Sequence, residues 1–451
     1  MKANRDRTNA GRVSLVSIVL VSLFLGNACG SFRSDSSIVP ANVTPVTLRY
    51  VTSDEEARWE DALLERFHEE HPHIQIQPDR IGRYYWPRDF MQHEQPPDLM
   101  PLTLGFWLWE PAQEQLAADL SEVWAQSELL QSYSMSLRNV TALNGKQYLL
   151  PMSYSWNAIY YNQALFAQLG LEPPQTWDQL LQTADILLAH NITPFSLSGD
   201  VWNLSLWFDY LSLRLNGPEF HQTLLRGEIS YQDDRVRNVF VTWQTMFDTG
   251  YFGDMAPSLS ATESFEAIVD GGRTTSRTQR EAAMVLGNSD MVEQLSEDLQ
   301  EQLAFFPFPT IEQSVSSGEV ISVWGYTAPA RASHLAETMS FLSYLLKPET
   351  EQFMQEFTTP ESTLFPIHLS GETDGLAPRT IQGLELVTDA EHLFLSILAT
   401  SPKKMSDFLR SQLAEYVRKA PYGTADVDTI LKTLEVGRKQ TARQEAFFNT
   451  Q

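Results

Sequence analysis

Six of the 11 tryptophans in this 451-residue chain fall outside apolar helical patterns. Trp86, Trp107, Trp109, Trp156, Trp202 and Trp324 read as loop or strand-edge residues. An indole held by a loop on a rigid scaffold can serve as a plate for a flat C–H face. Asp200, Asn288 and Tyr326, with Arg83 and Asp54 as further candidates, could meet the hydroxyls that rim such a face. This is the chemistry of holding a polyhydroxylated solute. The other five, Trp59, Trp124, Trp177, Trp207 and Trp243, lie in helical patterns and are expected in the core.

Reactive chemistry has less support. No G-x-S-x-G, H-E-x-x-H, Walker A or metal-binding cysteine cluster occurs, so no catalytic residue, metal or cofactor is expected. His68, His71 and His73 are crowded, but they sit at a helix end and a strand start, where structural roles explain them. The 57 acidic residues leave one rival open, an exported carbohydrate-active enzyme working through paired carboxylates.

A net charge of −25 argues against a nucleic-acid partner and makes strongly anionic ligands less fitting than neutral ones. The length calls for two domains. Lys2, Arg5, Arg7 and Arg12 precede the apolar run Val13 to Leu25, which has the length of a signal-peptide core. Cys29 is the only cysteine and has no disulfide partner. Residues 1–28 are therefore expected to be a signal peptide of lipoprotein type, with Cys29 acylated and residues 29–45 a flexible tether. Gly26-Asn27-Ala28 also satisfies the small-x-small rule for ordinary cleavage. Both readings place the protein outside the cytoplasm, in the periplasm or on the outer face of the cell membrane.

The elements that must position these side chains are clearest from Asn144 to Trp202. Tyr148-Leu149-Leu150 and Ala158-Ile159-Tyr160-Tyr161 are β-prone runs. A short helix from Gln163 ends at Gly170, and Thr176 with Gln179 forms a capping box for the next helix. Upstream, Val46 to Val51 and the stretch after Pro72 alternate like strands around a helix with Leu63, Leu64 and Phe67 on one face.

Tyr148 to Pro151, Tyr160-Tyr161-Asn162, Pro173-Pro174 and Thr176-Trp177 follow in the order seen in one family. Together they resemble the extracellular solute-binding proteins of bacterial ABC importers, in the carbohydrate-binding group that includes maltose-binding protein. Ala282-Ala283-Met284 with Gly287, Phe306-Pro307-Phe308-Pro309 and Leu335 to Gln352 extend the resemblance over nearly all of the chain after residue 45. It departs after Gly287, where the family often has Trp and this chain has Asn288-Ser289-Asp290.

The resemblance implies a periplasmic-binding-protein-like α/β fold: two discontinuous lobes, each mainly a parallel sheet, joined by a hinge with a ligand cleft between them. The lobes would comprise 46–152 plus 327–365 and 153–326 plus 366–451. Crossings are implied near Pro151 to Ser155, Val323 to Tyr326 and Thr359 to Pro366. It places Trp107 and Trp109 where the cleft opens, Trp156 and Trp324 at crossings, and Trp202 beyond the strand that ends at Gly199. The implied function is a monomeric receptor that closes over a sugar or oligosaccharide and delivers it to a membrane permease, without altering it. Relatives in this family also take glycerol-phosphates, and a receptor of this fold could serve a sensor instead of a permease.

Overall fold

The computed structural model describes residues 44–52, 57–80, 86–127, 133–253, 257–269, 282–316, 318–356, 376–444 and 447–448. Asp54, Arg83, Cys29, most of the tether and the third expected crossing lie outside them. Among the described residues no helix is long and apolar enough to cross a membrane.

The chain opens with a parallel pair, β1 (Val46–Thr52) and β2 (Ile74–Arg80), in register from Val46 opposite Ile74 to Thr52 opposite Arg80. The helix Ala57–Glu70 between them buries Leu63, Leu64 and Phe67, the face its spacing predicts. His68 Nδ1 pairs with the Ile74 carbonyl at 2.8 Å, and His71 stacks on Phe67, so both histidines fasten the end of this helix.

The remaining strands are β3 (Met100–Thr103), β4 (Ala142–Leu143), β5 (Lys146–Gln147), β6 (Leu150–Asn162), β7 (Thr193–Ser196), β8 (Ala282–Asn288), β9 (Leu303–Phe306), β10 (Glu319–Thr327) and β11 (Leu393–Phe394). A seven-stranded sheet follows the path β11-β10-β6-β8-β7, with β3 added on β10 and β9 on β6. Only β7/β8 and β10/β11 in it are parallel; β3/β10, β6/β10, β6/β8 and β6/β9 are antiparallel. The expectation of mainly parallel sheets is thereby corrected. Two expected crossings, at Pro151 to Ser155 and Val323 to Tyr326, are stretches of the long strands β6 and β10, which run in opposite directions and pair with each other.

β6 is 13 residues long and buried at every position except Tyr161, which is half-buried. A strand covered on both faces carries apolar residues without alternation, and β6 reads that way. Two hydrophobic cores form around this sheet. One gathers β1, β2, β3 and the helix Leu335–Leu345. The other gathers the helices Trp177–Ala189, Val201–Leu225, Asp234–Asp248, Lys403–Lys419 and Val427–Gln444. Trp124, Trp207 and Trp243 are buried as expected, and Trp177 is half-buried, stacked on Phe308. The capping box is formed: Thr176 Oγ1 accepts the Gln179 amide, and Gln179 Oε1 accepts the Thr176 amide.

Where β10 meets β6 the register shifts between Trp324 and Gly325. A Cβ on Gly325 would fall on the Leu150 carbonyl, a backbone atom that cannot rotate away. Gly325→Ala is expected to destabilise the fold by about 1–3 kcal/mol, the usual cost of forcing extra atoms into a packed site. Equilibrium urea unfolding checks this, and an unchanged midpoint would show that the two strands have slack.

Candidate functional site

A cavity of about 410 Å³ opens where the two cores meet. From the first core come Thr103 and Leu104, at the end of β3, and Trp107, in the first turn of the helix Phe106–Gln113. From the second come Trp202, Asn203 and Leu206, on the helix Val201–Leu225, with Asp200 as its N-cap. The strands themselves supply Asn157 from β6, Asn288 from the end of β8, and Ile321 and Ser322 from β10. Asp290, Met291, Leu395, Ser396 and Ala399 complete much of the wall.

The two indoles approach across this space. The Trp107 and Trp202 ring centroids are 5.7 Å apart with planes at 66°, an edge-to-face contact. Each ring is held by its neighbours. The Trp107 Nε1–H donates to the Thr103 carbonyl, and the Phe106 ring lies 4.7 Å from its own. The Arg410 guanidinium sits over the Trp202 ring, 4.3 Å from its centroid. Gly105 permits the close approach: a Cβ there would lie 3.1 Å from both the Ala399 carbonyl and the Trp107 ring.

The polar groups are equally fixed. Asp200 Oδ1 accepts the Trp202 amide at 2.8 Å, and the Asp200 amide donates to Ser198 Oγ. Asn288 Oδ1 accepts the Asp290 amide at 2.9 Å while its Nδ2 donates to Asn157 Oδ1 at 3.2 Å. Asn157 Nδ2 in turn donates to the Val320 carbonyl, so one amide chain ties β8, β6 and β10 together at the cavity floor. Asn203 is nine-tenths buried, and its Nδ2 has no hydrogen-bond partner among the described residues.

Of the residues singled out in the sequence, Trp107, Asp200, Trp202 and Asn288 line this cavity together. Trp109, Trp156 and Tyr326 do not; each is 2% exposed or less. Trp109, expected in a loop, lies within the helix Phe106–Gln113 and packs on Phe448. Trp156, expected at a strand edge, stands inside β6, its ring filling the space left by the missing side chain of Gly383. Tyr326 packs edge-on to Tyr50, whose hydroxyl bonds to Glu60. Trp324 is half-buried, 5.3 Å from the Tyr326 ring, and Trp86 packs near Phe106; neither lines the cavity. Asn157, Asn203, Ser322, Ser396 and Arg410 were not anticipated. A buried asparagine interrupting the apolar run of β6 was the readable signal for Asn157. Arg410 gave none.

This arrangement offers two aromatic plates and a set of amide and carboxylate groups on a largely preformed frame. Among the described residues no group of three His, Cys, Asp or Glu side chains could hold a metal ion.

The model of the bacterial extracellular solute-binding protein family matches residues 52–352. An ABC transporter extracellular-binding protein of Pyrococcus horikoshii is 22% identical over 189 residues, which is 40% of this chain and 43% of that protein. The chain thus spans less than half the length of the first curated relatives it matches. In structure it is similar to AcbH, a bacterial solute receptor described as having an exclusive preference for β-D-galactopyranose. The TM-score is 0.73 at 17% identity, over 87% of this chain and 98% of that one. A chitin oligosaccharide binding protein gives a TM-score of 0.70 at 19% identity, over 88% and 99%. At such identities the likeness speaks for the fold, two lobes of mixed α/β structure. With two thirds of its length matched by the family model, this chain belongs to the bacterial extracellular solute-binding proteins.

Proposed function

We propose that the protein is the exported receptor of an ABC importer, which captures a small carbohydrate between its lobes and presents it to a membrane permease. The observation that carries this reading is the pair of indoles that meet edge to face where the two cores join, lining one cavity with amides and carboxylates. Sugars need both, aromatic plates for their C–H faces and fixed polar groups for their hydroxyls. Trp107, Trp202, Asp200 and Asn288 are the proposed ligand contacts, joined by Asn157 and Asn203. The sugar binding named for the two structural neighbours and the transporter named for the Pyrococcus relative support the same reading. No step alters the ligand; closure of the lobes over it is the signal that the permease reads. The lobe limits at 152/153 and 326/327, acylation of Cys29 and a monomeric state belong to this proposal.

A thermal-shift screen of the full chain against mono-, di- and oligosaccharides tests it. A ligand at a hundred times its dissociation constant adds about 2.7 kcal/mol of stability. A carbohydrate that stabilises the protein and is recovered intact supports the reading. Silence across the panel, or cleavage of the ligand, contradicts it.

A further inference from the structure

We infer that the cavity takes an uncharged sugar or polyol and rejects phosphorylated or carboxylated counterparts, with Asp200 and Asp290 setting that choice. The inference rests on the carbohydrate reading above and adds to it the charge class of the solute.

Among the described residues, the only charged side chains lining the cavity are two carboxylates, Asp200 and Asp290; no Lys, Arg or His lines it. Arg410 lies over the Trp202 ring but is not among the residues that line the wall. An anion could also be held at a helix N-terminus, where amides and the helix dipole converge. One long helix, Val201–Leu225, does begin at the cavity, but its positive end already holds a carboxylate: Asp200 accepts the Trp202 amide. The two short helices that start here are closed in the same way, by Asn288 on the Asp290 amide and by Ser396 on the Ala399 amide. At each of these three helix starts one amide is already taken by a side chain of the chain itself, and at the longest helix that side chain is a carboxylate.

What remains suits hydroxyls. Carboxylates accept from them, and Asn157, Asn203 and Asn288 bring amide side chains to the wall. The indole faces add negative potential of their own, so an anion placed against either ring would meet repulsion from plate and rim alike.

The test is calorimetric titration of the full chain with matched pairs: galactose and galactose 1-phosphate, glucose and glucose 6-phosphate, maltose and maltose 1-phosphate, glycerol and glycerol 3-phosphate. For any neutral member that binds, the phosphorylated one is expected to bind about 100-fold more weakly or worse, the scale of like-charge juxtaposition in a cleft. Asp200→Asn together with Asp290→Asn keeps the helix cap, because Asn caps as well as Asp. This variant is expected to narrow the gap by about tenfold or more by relieving that repulsion. A phosphorylated member that binds as tightly as its neutral partner, or a gap unchanged in the double variant, overturns the inference and leaves the receptor reading standing. Binding of no member of any pair removes the carbohydrate reading, and the inference with it.

Discussion

Replacing Trp202 by alanine is expected to weaken carbohydrate binding by roughly 30-fold or more, since truncating a central aromatic anchor costs about 2 kcal/mol or more. Trp202 packs at the junction of both cores and meets Trp107 across the cavity, so its loss removes one plate and opens the space between the lobes. The cap on its helix survives, because Asp200 bonds to the backbone amide of residue 202 and not to the indole. Binding should therefore fall further than stability does. Titration calorimetry beside urea unfolding separates the two. An affinity within twofold of the parent would remove Trp202 from the site.

The second large effect is expected far from any ligand. Arg214 and Glu319 form an ion pair at 2.6 Å with both side chains almost fully buried. Arg214 also donates to the Phe308 and Gly318 carbonyls, and the Tyr210 hydroxyl donates to Glu319. Glu319 begins β10, the strand that goes on to supply Ile321 and Ser322 to the cavity. Arg214→Met strands the carboxylate and should cost about 3–5 kcal/mol, whereas Arg214→Met with Glu319→Leu should recover part of that loss.

The pH dependence follows from the same pair. Burial already pushes the Glu319 carboxyl above its usual range, and Arg214 works against that push. Without Arg214 the folded protein holds the proton still more strongly than the unfolded chain. The deficit of Arg214→Met should therefore be smallest where Glu319 is protonated in both folded proteins, and grow as pH rises through and above the raised range in which Glu319 titrates in the parent. A deficit that shrinks as pH rises above the ordinary glutamate range would contradict this account of the pair.

Where an element and its surroundings are local in sequence, they could be read in advance. The Thr176 capping box needs only residues three apart, and it forms as its spacing predicts. Asp200 and Asn288 were recognisable because each follows a strand and opens a helix, the place where an α/β fold gathers its ligand groups. Trp107 and Trp109 show the limit of that approach. Two residues apart in a loop they could share a cavity, but in a helix they point about 200° apart, and Trp109 turns to Phe448. Trp156 looked equally available until Gly383, more than two hundred residues later, proved to be the surface it packs on. Arg410 and Ser396 reach the site from the C-terminal helices, and no local pattern marks either. Distant packing, not local propensity, decided which tryptophans were left to line the cavity.

The central claim is that a sugar is held in the cavity that Trp107 and Trp202 line together. Tryptophan fluorescence, titrated with a carbohydrate that stabilises the protein, tests it most directly when run on the parent, Trp107→Phe and Trp202→Phe. The account predicts a saturable change in the parent, with both the signal and the affinity reduced in each variant. Parent-like signal and affinity in both variants would place the ligand elsewhere and contradict it.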